Sequence, residues 1–85
     1  MAERRVKIES KVGLHARPAS LFVKAASAFD GDVHVAKGDA APVSAKSILG
    51  VMSLGAKHGD EIVVTAEGEG AEALLDTLAE IANAD

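Results

Sequence analysis

Four short strand-like segments are interleaved with three helical ones, and that order leaves the chain few ways to bury its apolar residues. Residues 4–9 place Val6 and Ile8 between Arg5, Lys7 and Glu9, the two-residue period of a half-buried strand. From Pro18, apolar residues recur as Leu21, Phe22, Ala25, Ala26 and Phe29, the spacing of a helix with one buried face. Asp30-Gly31 is a stop signal for it. Residues 32–37 alternate around Val33 and Val35, and Lys37-Gly38-Asp39 supplies a hairpin loop. Residues 41–44 return as a short strand that Pro42 assigns to a sheet edge.

Ser47 is suited to cap a second helix from Ile48 to about Leu54, ended by Gly55. Glu61 to Ala66 reads as a strand, and its Ile62-Val63-Val64 run points to an internal position. The last helix, Ala71 to about Ala82, buries Leu74, Leu75, Leu78 and Ile81, with Glu69 and Glu72 at its positive end. The resulting order is β-α-β-β-α-β-α. Strands this short and few do not build a doubly wound sheet, so the helices must cover one face of a two-layer α/β sandwich.

Eighty-five residues amount to one domain, 1–85, and 48% apolar content is enough for a core, although only two residues are Phe. No Cys is present, which excludes disulfides, thiolate chemistry and Cys-based zinc sites. No apolar h-region follows Met-Ala-Glu-Arg-Arg-Val and no run approaches membrane-spanning length. A monomeric cytoplasmic protein without membrane insertion is the expectation.

The net charge is −4 and unevenly distributed. Residues 1–24 hold Arg4, Arg5, Lys7, Lys11, Arg17 and Lys24 against Glu3 and Glu9, whereas residues 59–85 hold eight acids and no Lys or Arg. A positive region near the first helix and an acidic region around the last are expected, a polarity that orients encounter with an acidic partner. Nucleic-acid binding is disfavoured by the overall sign and by the lack of Tyr and Trp for stacking.

The chemistry concentrates in Gly13-Leu14-His15-Ala16-Arg17-Pro18-Ala19. Gly13 permits a tight turn, and Pro18 is tolerated in the first helical turn because an N–H there has no intrahelical acceptor. His15 therefore falls at or next to the N-cap, beside backbone N–H groups of Ala16 and Arg17 that form an anion cradle. The positive end of the helix dipole disfavours imidazolium, which keeps the ring neutral and nucleophilic. Arg17 adds a permanently charged fork for phosphate oxygens. Two readings fit these residues: an imidazole that carries a phosphoryl group covalently, or a poor cap with an exposed ring.

This stretch resembles the active-site signature of the HPr family, the histidine-containing phosphocarriers of the bacterial phosphoenolpyruvate:sugar phosphotransferase system. A second block, Ser44-Ala45-Lys46-Ser47-Ile48-Leu49-Gly50-Val51-Met52-Ser53-Leu54-Gly55, resembles that family's regulatory-serine region, and length and element order also agree. The resemblance implies an α+β open-faced sandwich with a four-stranded antiparallel sheet in order 1-4-2-3. It also implies phosphorylation of His15 on Nδ1 by enzyme I, itself charged from phosphoenolpyruvate, and onward transfer to the IIA component of sugar permeases. Such a carrier is not an enzyme and calls for no cofactor or metal. At Ser47 the resemblance implies a target for an HPr kinase/phosphorylase and a link to a transcriptional regulator, but the cap role alone would explain a Ser there.

Ile48, Leu49, Val51, Met52 and Leu54 cannot all face inward on so short a helix, so part of this set forms an exposed docking patch. Ile48, Leu49, Met52, Leu21, Lys24 and Lys46 are the candidate partner-binding residues; for Leu21 core packing is the competing role, and for Lys24 a solvated side chain. His34 and His58 lack metal-ligand spacing. Gly68-x-Gly70 is too short for a nucleotide fingerprint. The rival readings are a nitrogen-type phosphotransferase carrier, an HPr-type regulator that binds a transcription factor without relaying phosphate, and a non-covalent anion-binding module.

Overall fold

The structure, a computed structural model, describes residues 2–9 and 16–83. Strand β1 covers Ala2–Lys7, α1 Ala16–Ser27, β2 Asp32–Lys37, β3 Val43–Ser44, α2 Ile48–Ser53, β4 Glu61–Glu67 and α3 Ala71–Ala82. The strands form one sheet in the order β1-β4-β2-β3, every neighbouring pair antiparallel. β4 is thus internal, and β3, just after Pro42, lies at an edge.

Alternation puts Val6, Val33, Val35, Ile62, Val64 and Ala66 on the face covered by the helices, all buried. The helices complete the core with Ala19, Phe22 and Ala26 from α1, Val51 from α2, and Leu75 and Leu78 from α3. The other sheet face carries exposed Glu3, Arg5, His34 and Glu67 and half-buried Thr65. Val63, half-buried on that face between Arg5 and Ala36, explains the unbroken Ile62-Val63-Val64 run. The strand is central in hydrogen bonding while one of its faces remains partly open.

Several expectations need correction. β1 starts and ends two residues before the expected 4–9, although Ile8 stays buried and prolongs the pairing through Ile8 N–H to Asp60 O (2.8 Å) and Gly59 N–H to Ile8 O (2.8 Å). α1 ends at Ser27; Ala28 N–H still donates to Lys24 O at 3.2 Å, and Phe29 N–H closes a tighter turn on Ala26 O at 3.1 Å. Leu21 is not core: it is 48% exposed, and Ala19 with Phe22 and Ala26 forms the buried stripe. A helix stripe covers only part of the circumference, and α1, packed against α3 and α2, turns Ala19, Phe22 and Ala26 into the core and Leu21 outward. Leu74 and Ile81 are half-buried at the edge of the α3 contact.

Gly31 shows how closely the return from α1 runs beside β4. A Cβ there would lie 1.7 Å from Glu67 O, so no larger residue fits without moving backbone. At the opposite end of β4, the Lys57–Asp60 turn is clipped by Lys57 N–H donating to Asp60 Oδ2 (2.9 Å), with Lys37 Nζ 3.6 Å from the same carboxylate. The Lys57 N–H bond, aided by Lys37, holds the Asp60 carboxyl below the usual aspartate range.

Candidate functional site

The helix that carries the signature begins at Ala16, the residue after His15 in the chain. Ala16 and Arg17 occupy its first two positions, where backbone N–H groups have no acceptor within the helix. Pro18 is the third helical residue, where its missing N–H costs nothing, and it is buried beside Ala19. That burial turns Arg17 outward, and its side chain is exposed. Gly13, Leu14 and His15 lie outside the described residues, as does Lys11 of the expected positive region.

Arg17, Leu21 and Lys24 are spaced i, i+4, i+7 and all exposed, so they form one outward line along α1. α2 packs against α1 and supplies the rest of the surface. Ile48 is 39%, Leu49 80% and Met52 45% exposed, whereas Val51 turns inward. Six residues give fewer than two helical turns, so burying Val51 necessarily presents its apolar neighbours to solvent. The structure therefore collects Arg17, Leu21, Lys24, Ile48, Leu49 and Met52 on two adjoining helices.

Ser47 is the N-cap of α2, with φ −110° and ψ 120°, and its Oγ accepts from Gly50 N–H at 3.2 Å. Half-buried, it sits directly before Ile48. Lys46 has a structural engagement: its Nζ donates to Phe29 O at 2.7 Å, just beyond the C-terminus of α1. A cation there satisfies a carbonyl left over at the negative end of the helix.

The charge map also changes. Arg4 of β1 reaches α3, with Nη1 2.8 Å from Asp76 and Nη2 3.4 Å from Glu72, and Arg5 pairs with Glu61 at 2.9 Å. The bond to Asp76, ahead of the one to Glu72, raises the Arg4 pKa further. Two of the cations assigned from sequence to the positive region are thus folded into the acidic one. Exposed Arg17 and Lys24 remain as its described part on α1.

Asn83 is a residue that reading along the chain did not single out. It follows the last residue of α3, and its Oδ1 accepts from Glu9 N–H at 2.7 Å while its Nδ2 donates to Lys7 O at 3.2 Å. An Asn after a periodic helix is a C-cap signal, but a tie to a strand at the other end of the chain has no local signature. Among the described residues no group of three His, Cys, Asp or Glu could hold a metal, and no helix is long and apolar enough to cross a membrane.

A small open-faced α+β sandwich whose first helix starts one residue after a signature histidine in the chain, with an adjoining apolar patch, fits a phosphocarrier. The family model described as PTS HPr component phosphorylation site matches residues 2–84, and the chain belongs to the HPr family of the phosphotransferase system. The phosphocarrier protein HPr of Streptomyces coelicolor is 54% identical over 81 residues, covering 95% of this chain and 87% of its own. The HPr-like protein Crh of Bacillus subtilis is 44% identical over 79 residues, covering 93% and 92%. Among solved structures, the phosphocarrier protein HPr of Bacillus anthracis superposes with a TM-score of 0.87 at 44% identity over 96% of each chain.

Proposed function

We propose that this protein relays a phosphoryl group from enzyme I, charged by phosphoenolpyruvate, to the IIA component of a sugar permease, with His15 Nδ1 as the carrying atom. The observation that carries the reading is the placement of α1. It starts immediately after His15 in the chain, with Ala16 and Arg17 in its first turn and Arg17 exposed.

In the proposed step the Nδ1 lone pair attacks phosphorus, and a P–N bond forms as the bond to the donor breaks, its electron pair leaving with the donor. The helix dipole favours the neutral, nucleophilic ring. Arg17 and the first-turn N–H groups compensate the charge of the phosphoryl oxygens, the main task a protein has in this reaction. The reverse of these steps delivers the group to the acceptor. Leu21, Lys24, Ile48, Leu49 and Met52 form the docking surface for both partners; Lys46 braces its edge.

Phosphorylation of Ser47 by an HPr kinase/phosphorylase fits the same surface. A phosphate at the N-cap is favoured by the α2 dipole but sets negative charge beside Ile48 and Met52, which weakens docking. A second reading, an HPr-type regulator that binds a transcriptional regulator and relays nothing, is supported by the resemblance to Crh. The presence of His15 weighs against it.

Incubation with enzyme I, magnesium and labelled phosphoenolpyruvate tests the relay. The expected product is an acid-labile, alkali-stable label that is absent from His15→Ala. A protein that stays unlabelled is not a carrier. Arg17→Ala should slow labelling by on the order of tenfold or more with the fold intact, as for loss of a donor to developing anionic charge. Ser47→Asp should bind enzyme I more weakly.

A further inference from the structure

The end of β1 is held from both sides. Toward β4, the N–H and C=O of Ile8 pair with Asp60 O and Gly59 N–H, both at 2.8 Å. Because alternate residues of a strand direct their backbone groups to opposite edges, Lys7 O and Glu9 N–H point away from β4. β1 lies at the edge of the sheet, so no strand meets those groups. The Asn83 carboxamide meets them instead, accepting from Glu9 N–H at 2.7 Å and donating to Lys7 O at 3.2 Å. A carboxamide carries one acceptor and one donor group, as a peptide unit does, and here it acts as a one-residue surrogate strand. The two bonds also fix which of its ends is oxygen.

Asn83 is itself anchored. Its own N–H closes the end of α3 on Glu80 O at 3.2 Å, and α3 packs against both β1 and α1. The clamp therefore refers the last residue of the first described segment, Glu9, to the helix layer that contains α1. Six residues of chain separate Glu9 from Ala16, and His15 is among them. One end of that span is set by α1 and the other by the Asn83 bonds.

We propose that Asn83 is a positioning residue for phosphoryl transfer: by pinning Glu9 and Lys7 it fixes the point from which the chain sets out toward His15. The inference rests on the proposed relay through His15. Among the described residues, Asn83 directs its hydrogen bonds to Lys7, Glu9 and Glu80, not to the docking helices α1 and α2. Its loss misplaces the nucleophile without altering partner affinity, and small misplacements of reacting groups are costly in rate. Asp is the informative isostere: one oxygen retains the Glu9 N–H bond, while the other faces the Lys7 carbonyl with no proton to donate.

The experiment measures transfer from charged enzyme I at varied carrier concentration for the wild type, Asn83→Ala, Asn83→Asp and Leu74→Ala. The last trims a half-buried leucine of the same helix that takes no part in the clamp. Hydrogen exchange at the Glu9 amide is followed in parallel. Asn83→Ala should lower kcat by about tenfold with KM unchanged, as expected for misplacement of a reacting group, and should speed Glu9 exchange. Asn83→Asp should lower kcat by less and keep Glu9 protected, and it supplies the comparison if the Ala variant does not fold. Leu74→Ala should leave kcat unchanged at a temperature where it is folded.

An unaltered kcat in the folded Asn83 variants overturns the assignment. So does a rise confined to KM, or an equal loss of kcat in Leu74→Ala. No label on the wild-type protein instead defeats the relay reading, whatever the Glu9 amide does.

Discussion

The two ends of the helix layer solve opposite problems with similar residues. α3 is a braced element: Arg4 reaches Glu72 and Asp76, Asn83 grips β1, and Leu75 and Leu78 are fully buried. α2 is half as long, buries only Val51 among its large residues, and leaves Ile48, Leu49 and Met52 in solvent. Both helices are rich in large aliphatic residues. The difference is what those residues face, and it separates an element that holds the fold together from one that presents a surface. Apolar area exposed on a small soluble domain is destabilising or neutral in isolation and acquires a use when a partner covers it.

The same chemical change made in both helices gives the strongest challenge to this contrast. Leu78→Ala should destabilise the protein by about 2–5 kcal/mol in denaturant unfolding, the range for emptying a fully buried leucine site. A small loss would mean that α3 is not the brace. Ser47→Ala removes the cap of α2 and should cost about 1 kcal/mol, read as a lower unfolding midpoint with an unchanged slope. A negligible loss would show that α2 does not depend on its cap.

Arg4→Ala cuts both ion pairs to α3 and should lower the unfolding midpoint only slightly, less than Ser47→Ala does, because the pairs are exposed and solvent-screened. The loss should shrink as salt rises through the physiological range. A larger, salt-independent loss would place the Arg4 contribution in packing of its stem rather than its charge. Leu49→Ala, the counterpart of Leu78→Ala, should change stability by less than about 0.5 kcal/mol. Its effect should emerge in titration calorimetry against enzyme I as weaker binding. Unchanged binding would remove Leu49 from the docking surface.

Much of this architecture was legible along the chain because it is written in local periods and local chemistry. Residues 32–37 and 71–82 coincide with β2 and α3, since two-residue alternation and the helical repeat need no distant partner to be read. Ser47 as a cap with Gly50 three residues on is equally local. The signature Gly13–Ala19 marks the site through residue type and order, and α1 begins within it.

What the sequence determined unaided was therefore the identity and order of the elements, the cap of α2 and the histidine-arginine signature at the head of α1. The tertiary structure decided which face of each helix turns into the core, placing Leu21 in solvent and Ala19 inside. It also paired Arg4 with α3, turned Lys46 onto Phe29 O and brought Asn83 to β1, 74 residues away from its partner Glu9. The reason is physical. Backbone propensity and capping act over a few residues, whereas rotation about a helix axis and the pairing of side chains are fixed only when distant layers close against one another.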